Sequence, residues 1–157
     1  MNVDDININL ISFDKIYKTK KYTLLSYDGE PLKIILNNVD FISSFYNEKK
    51  NIFVFKFNIT NKYVNFFSKL SQIAIDLVKL NKDILFDESI CEHEIDNLYF
   101  SNLENNQINV QSNSLEIFKD IKSLNGDSIK ISIHVSGLWF YQKYYGLCFE
   151  IDGITNM

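Results

Sequence analysis

IKISIHVSGLWFYQKYYGLCFEI, residues 129–151, sets apolar side chains at every second position along Ile129, Ile131, Ile133 and Val135. That period of two is the signature of a strand with one face in a core. The chain passes Gly137 into Leu138-Trp139-Phe140-Tyr141, turns between Gln142 and Gly146, and returns through Leu147, Phe149 and Ile151, with Cys148, Glu150 and Asp152 on the other phase. The stretch reads as a long antiparallel hairpin with a glycine-marked bulge and an aromatic tip. A hairpin alone is marginal in water, so the rest of the chain must supply a sheet and a helix to cover it.

Working outward, Asn51–Ile59 puts Phe53, Phe55, Phe57 and Ile59 on one face and Lys56 and Asn58 on the other, a strand. Thr60 or Asn61 then caps a helix over 62–80, with Phe66, Phe67, Leu70, Ile73, Ala74, Leu77 and Val78 forming one apolar stripe. Further strands are expected at 6–13, 22–27 and Leu32–Leu36, with Asp28-Gly29-Glu30-Pro31 as a turn. Residues 81–113 are less regular, with short strands at Leu98–Phe100 and Ile108–Val110. Ser114 opens a short helix that Asn125-Gly126 ends.

The 157 residues fit one domain, 1–157, with an acidic insertion at about 83–127. The fold class is mainly β with one long helix, an α+β fold. The order strand, strand, strand, helix, insertion, strand, strand suggests an OB-fold-like five-stranded Greek-key barrel with helix 62–80 between strands three and four.

Charge is unevenly spread. Lys15–Lys82 holds twelve lysines against five acids, and Asp83–Asp127 holds ten acids against two lysines, although the net charge is only -4. Such a chain can be acidic overall and still present a basic face. All sixteen basic residues are lysine, and the abundance of Ile, Asn, Lys, Phe and Tyr is that of AT-rich coding. No apolar run approaches the roughly 18 residues of a membrane span, and the acidic start Met1-Asn2-Val3-Asp4-Asp5 has no signal-peptide pattern. Cys91 and Cys148 have no framework spacing, so an intracellular compartment is expected.

Signals of catalysis are poor. Five glycines leave no phosphate loop, and Cys91-Glu92-His93-Glu94 would need further ligands when the only other histidine is His134. No catalytic residue, metal or cofactor is expected. Nucleic-acid binding has more behind it. Lys18, Lys20 and Lys21 interleave with Tyr17 and Tyr22, pairing phosphate neutralisation with rings on which bases stack. Lys33, Lys49, Lys50 and Lys56 add charge from neighbouring strands, and the hairpin adds Trp139, Tyr141, Tyr144 and Tyr145 around Lys143. Trp139 reads equally as core or as a stacking surface.

Two segments carry a resemblance. Leu25-Ser-Tyr-Asp-Gly-Glu-Pro-Leu32 resembles the L-x-Y-x-G-x-P-hydrophobic segment of the single-stranded-DNA-binding proteins of large DNA viruses. Leu138-Trp139-Phe140 followed by Gly146-Leu147-Cys148-Phe149 is similar to their closing hairpin motif, and the Phe53–Phe57 strand followed by a helix fits between. The resemblance covers most of residues 10–152. It implies an OB-fold that coats single-stranded DNA without sequence preference in viral replication or recombination, in the host cytoplasm or nucleus. Lys18, Lys20, Lys21, Tyr22 and Lys33 would line the groove, with Trp139 supporting or stacking. Two departures stand out: lysine replaces arginine throughout, and no acidic C-terminal tail follows.

The expected function is therefore a non-catalytic single-stranded DNA-binding protein, with RNA left open as a ligand, homo-oligomers as an option, and replication proteins meeting the acidic 83–127 segment. The alternative is a structural or protein-interaction domain, a virion or assembly component that uses the aromatic C-terminal hairpin as an oligomer contact.

Overall fold

The computed structural model describes residues 1–19, 21–124 and 128–157. Eight strands form one sheet in the order β1-β2-β7-β3-β4-β6-β5, with β8 on the far edge of β7. Their ranges are β1 Ile11–Phe13, β2 Tyr22–Tyr27, β3 Leu32–Asn47, β4 Ile52–Asn58, β5 Leu103–Glu104, β6 Gln107–Ser112, β7 Ile129–Tyr141 and β8 Tyr144–Asn156. The helices are α1 Asn61–Leu80, α2 Lys82–Leu85, α3 Glu92–Leu98 and α4 Leu115–Lys122. All pairings between strands are antiparallel except a single parallel bridge between Gln111 of β6 and Glu150 of β8. That bridge brings the sheet round into a partial ring, β7-β3-β4-β6-β8.

The β7–β8 hairpin is longer than its alternation suggested, running from Ile129 opposite Asn156 to Tyr141 opposite Tyr144. Its turn is only Gln142-Lys143, with Gln142 in the left-handed region at φ 55°. The expected bulge lies between Val135 and Gly137. The inward phase of β7 (Ile129, Ile131, Ile133, Val135) is fully buried, as are Leu32, Ile34 and Leu36 of β3, Phe55 and Phe57 of β4, and Ile108 and Val110 of β6. The stripe of α1 covers this core through Phe66, Phe67, Leu70, Ala74 and Val78, and the Phe67 ring meets Phe149 at 5.1 Å.

β3 changes partner midway. Leu32–Val39 pairs with β7 and Asp40–Asn47 with β4. Bulges at Leu36/Val39 and Phe41/Ser43 allow the bend, and Asn38 adopts φ 56°. This bend hides eleven strand residues past Leu36 from a reading of alternation. At its start, the Asp28-Gly29 turn has positive φ at both residues, 49° and 82°, and Tyr27 and Glu30 exchange both backbone hydrogen bonds.

Four expectations are corrected. Residues 6–10 are not strand: Ile8–Leu10 forms a 3-10 turn, with the Asn9 backbone N–H donating to the Asn7 side chain. Leu98–Phe100 forms no strand, closing α3 and leaving a lone bridge between Tyr99 and Tyr145. The long helix does not stand between strands three and four. α1 follows β4 and leads toward β5 and β6, while α4 separates β6 from β7. Finally, segment 83–127 is no appendage to the core: β6 pairs β4 along its length, and Ile95, Ile108, Val110 and Ile121 are buried in the common core. The helix opening at Ser114 is α4, capped by the Ser114 hydroxyl accepting from the Ile117 N–H. Its expected stop at Asn125-Gly126 lies outside the described residues. No helix among the described residues is long and apolar enough to cross a membrane.

Candidate nucleic-acid interface

Residues 14–21 link β1 to β2. Ile16 is buried and pins the linker, while Tyr17 and Lys18 stay exposed. At its end, the Phe140 N–H donates to the Lys21 carbonyl at 2.9 Å, which fastens the linker to the tip of the β7–β8 hairpin. Two segments more than a hundred residues apart thus share a cavity of about 460 Å³, lined by Lys18, Lys21, Phe86, Phe140, Tyr141, Lys143 and Tyr144 among others. Tyr141 and Tyr144 are 64% and 50% exposed, so their ring faces can take a ligand. Of the residues singled out from sequence, Lys18, Lys21, Tyr141, Lys143 and Tyr144 meet here. Lys20 lies outside the described residues.

The others lie elsewhere. Lys33 is on the outer phase of β3, ion-paired with Asp152 at 3.2 Å. Lys50 sits in the β3–β4 turn, at the opposite end of β3 from Leu32, its N–H donating to the Asn47 side chain. Tyr22 and Trp139 face each other in register across β2 and β7 and do not line the cavity.

Both rings lie on glycine. A Cβ on Gly137 would fall 2.9 Å from the Tyr22 ring, and one on Gly146 would fall 2.8 Å from the Trp139 ring. Trp139 is half-buried between core and solvent, with Phe100 6.0 Å away and tilted by 58°. Phe100, 60% exposed, completes an aromatic patch that its position after α3 had concealed. The Tyr22 hydroxyl shares a 2.5 Å hydrogen bond with Ser136. Burial, with the nearby Cys148 and Glu150 adding to it, pushes the Tyr22 phenol up to about 12. Cys148 accepts from the Gln111 amide at 3.0 Å, and burial raises its thiol, which keeps it protonated and unreactive at neutral pH.

The Tyr22 shift has a testable sign. Between its ordinary value of 10.0 and about 12, the unfolded chain ionises Tyr22 while the folded chain keeps the proton. Its contribution is whole below the first value and is lost as pH rises toward the second. Tyr22→Phe is expected to make the fall of the urea midpoint across this alkaline window shallower. An unchanged profile would assign the fall to other groups.

Cys91 stands at the start of α3 without a capping side-chain bond and donates to the Glu94 carboxylate at 3.4 Å, while His134 lies on β7, its Nδ1 3.7 Å from Glu150. Among the described residues no group of three or more His, Cys, Asp or Glu is placed to hold a metal ion. Sequence reasoning missed Phe86 and Asp87. Phe86 forms a wall of the cavity, and the Asp87 carboxylate sits 2.6 Å from Lys18 Nζ, which holds it below the usual carboxylate range. No family model, no curated protein and no solved structure matches the chain.

Proposed function

We propose that this chain is a non-catalytic protein that binds single-stranded nucleic acid, DNA in the first instance, without sequence preference. The observation that carries this is the convergence of Lys18, Lys21 and Lys143 around a cavity walled by Phe86, Phe140, Tyr141 and Tyr144. Lysines there neutralise phosphates, and exposed tyrosine faces accept any base, since every base has a π-face. The ring adds support. Taken in chain order, its strands are β3, β4, β6, β7 and β8, which suits a five-stranded, partly open Greek-key barrel of the oligonucleotide-binding type. In that fold the loops joining strands one to two and four to five take the ligand. Here the second of these is the Gln142-Lys143 turn that borders the cavity, while the first, the turn holding Lys50, lies away from it. The long helix, lying between the second and third ring strands, is the departure from that pattern.

The test is fluorescence anisotropy of a labelled poly-dT oligonucleotide, with duplex competitor and at two salt concentrations. Tight, salt-sensitive binding that duplex does not displace is expected. Absence of binding at micromolar protein in low salt would overturn the proposal. Lys21→Ala with Lys143→Ala is expected to lower the slope of log K against log salt by about 0.7 for each lost phosphate contact. An unchanged slope would remove these lysines from the site.

The second reading, an assembly domain, draws on the same exposed surface, since Phe100, Tyr141 and Tyr144 are each at least half exposed. It expects sedimentation of an oligomer that Tyr144→Ala dissociates.

A further inference from the structure

We propose that Asp87 and Glu88 form a built-in phosphate mimic that occupies the basic rim of the cavity and is displaced when a strand binds. This rests on the nucleic-acid site described above and names its regulation. Residues 86–91 join α2 to α3, and Leu85 and Phe86 belong to the wall of the cavity itself. One step along the chain, the Asp87 carboxylate contacts Lys18 Nζ at 2.6 Å, where a ligand phosphate oxygen would sit. Beyond it lies a second cavity of about 330 Å³, in which Asp87, Glu88 and Glu94 share the lining with Lys143. Both Lys18 and Lys143 therefore border acids of one short segment.

Within that segment Phe86 and Ile90 pack against the core, and Asp87, Glu88 and Ser89 between them are exposed. On one side the Phe86 N–H donates to the Lys82 carbonyl. On the other, α3 is anchored by the buried Ile95, by the Tyr145 hydroxyl donating to the Ile95 carbonyl at 2.8 Å, and by the 2.9 Å pair of Lys79 with Asp96. The exposed residues 87–89 can shift while Phe86, Ile90 and both anchors hold. The two side chains of the Lys18–Asp87 pair are 68% and 78% exposed, so the contact is weak enough for a polyanion to replace it. A strand bringing several phosphates at once outcompetes a single carboxylate, whereas one free phosphate does not. The acids thus raise the threshold for binding and favour multivalent strands.

The test compares the full chain with Asp87→Asn/Glu88→Gln and with a charge-matched control on α4, Glu116→Gln/Asp120→Asn, each titrated into labelled poly-dT at low salt. The Asp87/Glu88 variant is expected to bind about two- to fivefold tighter than the control, the scale of one exposed ion pair. Lys18→Ala, placed in the Asp87/Glu88 background, should abolish the gain, because the lysine that the acids release is no longer there. Binding by the wild type with no gain over the control, or with a gain that survives Lys18→Ala, would overturn the mimic and leave the binding site standing. Binding by the variant alone would support it in its strongest form. Failure of all forms to bind would overturn both.

Discussion

Tyr141→Ala with Tyr144→Ala is expected to weaken poly-dT binding by about 1–3 kcal/mol for each base stack lost, while leaving the salt slope unchanged. Both rings flank the Gln142-Lys143 turn and stand well exposed, so neither contributes to the core. Their removal should leave the thermal melt near wild type. The loss in affinity is then a loss of ligand contacts and not of folded protein. The lysines supply the opposite signature, a changed slope, because counterion release counts charges and not rings. A double variant that melts normally and binds as tightly as wild type would remove the hairpin tip from the site. If it instead fell from oligomer to monomer, the assembly reading would take its place.

Gly137→Ala is expected to be the most damaging single methyl in the hairpin. Its Cβ would lie 2.2 Å from the Thr23 carbonyl oxygen and 2.9 Å from the Tyr22 ring. A backbone oxygen has no rotamer to escape into, so β2 must lift off β7. Overpacking of this kind costs about 1–3 kcal/mol and more where the backbone is forced to move. The damage should also travel. Thr23 is buried and its hydroxyl donates to the Asp14 carbonyl at 2.8 Å, so lifting β2 loosens the linker that carries Lys18 and Lys21. Lower stability and weaker binding should appear together. Gly153→Ala is the control: its nearest neighbour, the Ser132 Cβ, is 4.0 Å away, and little change is expected. Equal melting temperatures for the two variants would refute the close packing of β2 on β7.

The parts of the fold written in a local period were legible. β7 alternates up to its bulge after Val135 and β8 alternates from Leu147 to Ile151, α1 keeps one stripe, and Asp28-Gly29 names its turn by chemistry. What escaped was either non-local or masked by composition. Only the centre of β6, Ile108–Val110, was legible, because the flanking Gln107, Gln111 and Ser112 are polar, yet a ring strand needs only one apolar phase. The second half of β3 was hidden by the Asn37-Asn38 bulge, where alternation slips out of phase. At the candidate site, Lys18, Lys21, Tyr141, Lys143 and Tyr144 announced themselves by residue type. The exclusion of Lys33, Lys50, Tyr22 and Trp139 from the cavity depends on strand order and phase, which no local pattern carries. Asp87 was visible only as one acid among ten.

The tandem seating of β2 and the first half of β3 on one edge of β7 bears on when this molecule can acquire its shape. Tyr22–Leu24 pairs with Gly137–Trp139, and Leu32–Val39 pairs with Ile129–Val135. During synthesis from the N-terminus, these early strands wait about a hundred residues for the strand they dock against, a span with a high closure cost and slow pairing. The β7–β8 hairpin, whose contacts are local, can close as soon as it emerges and then serve as the template. The basic linker and the aromatic tip therefore come together late, and a ribosome-bound chain short of β7 would carry the lysines without the surface that gives them a ligand.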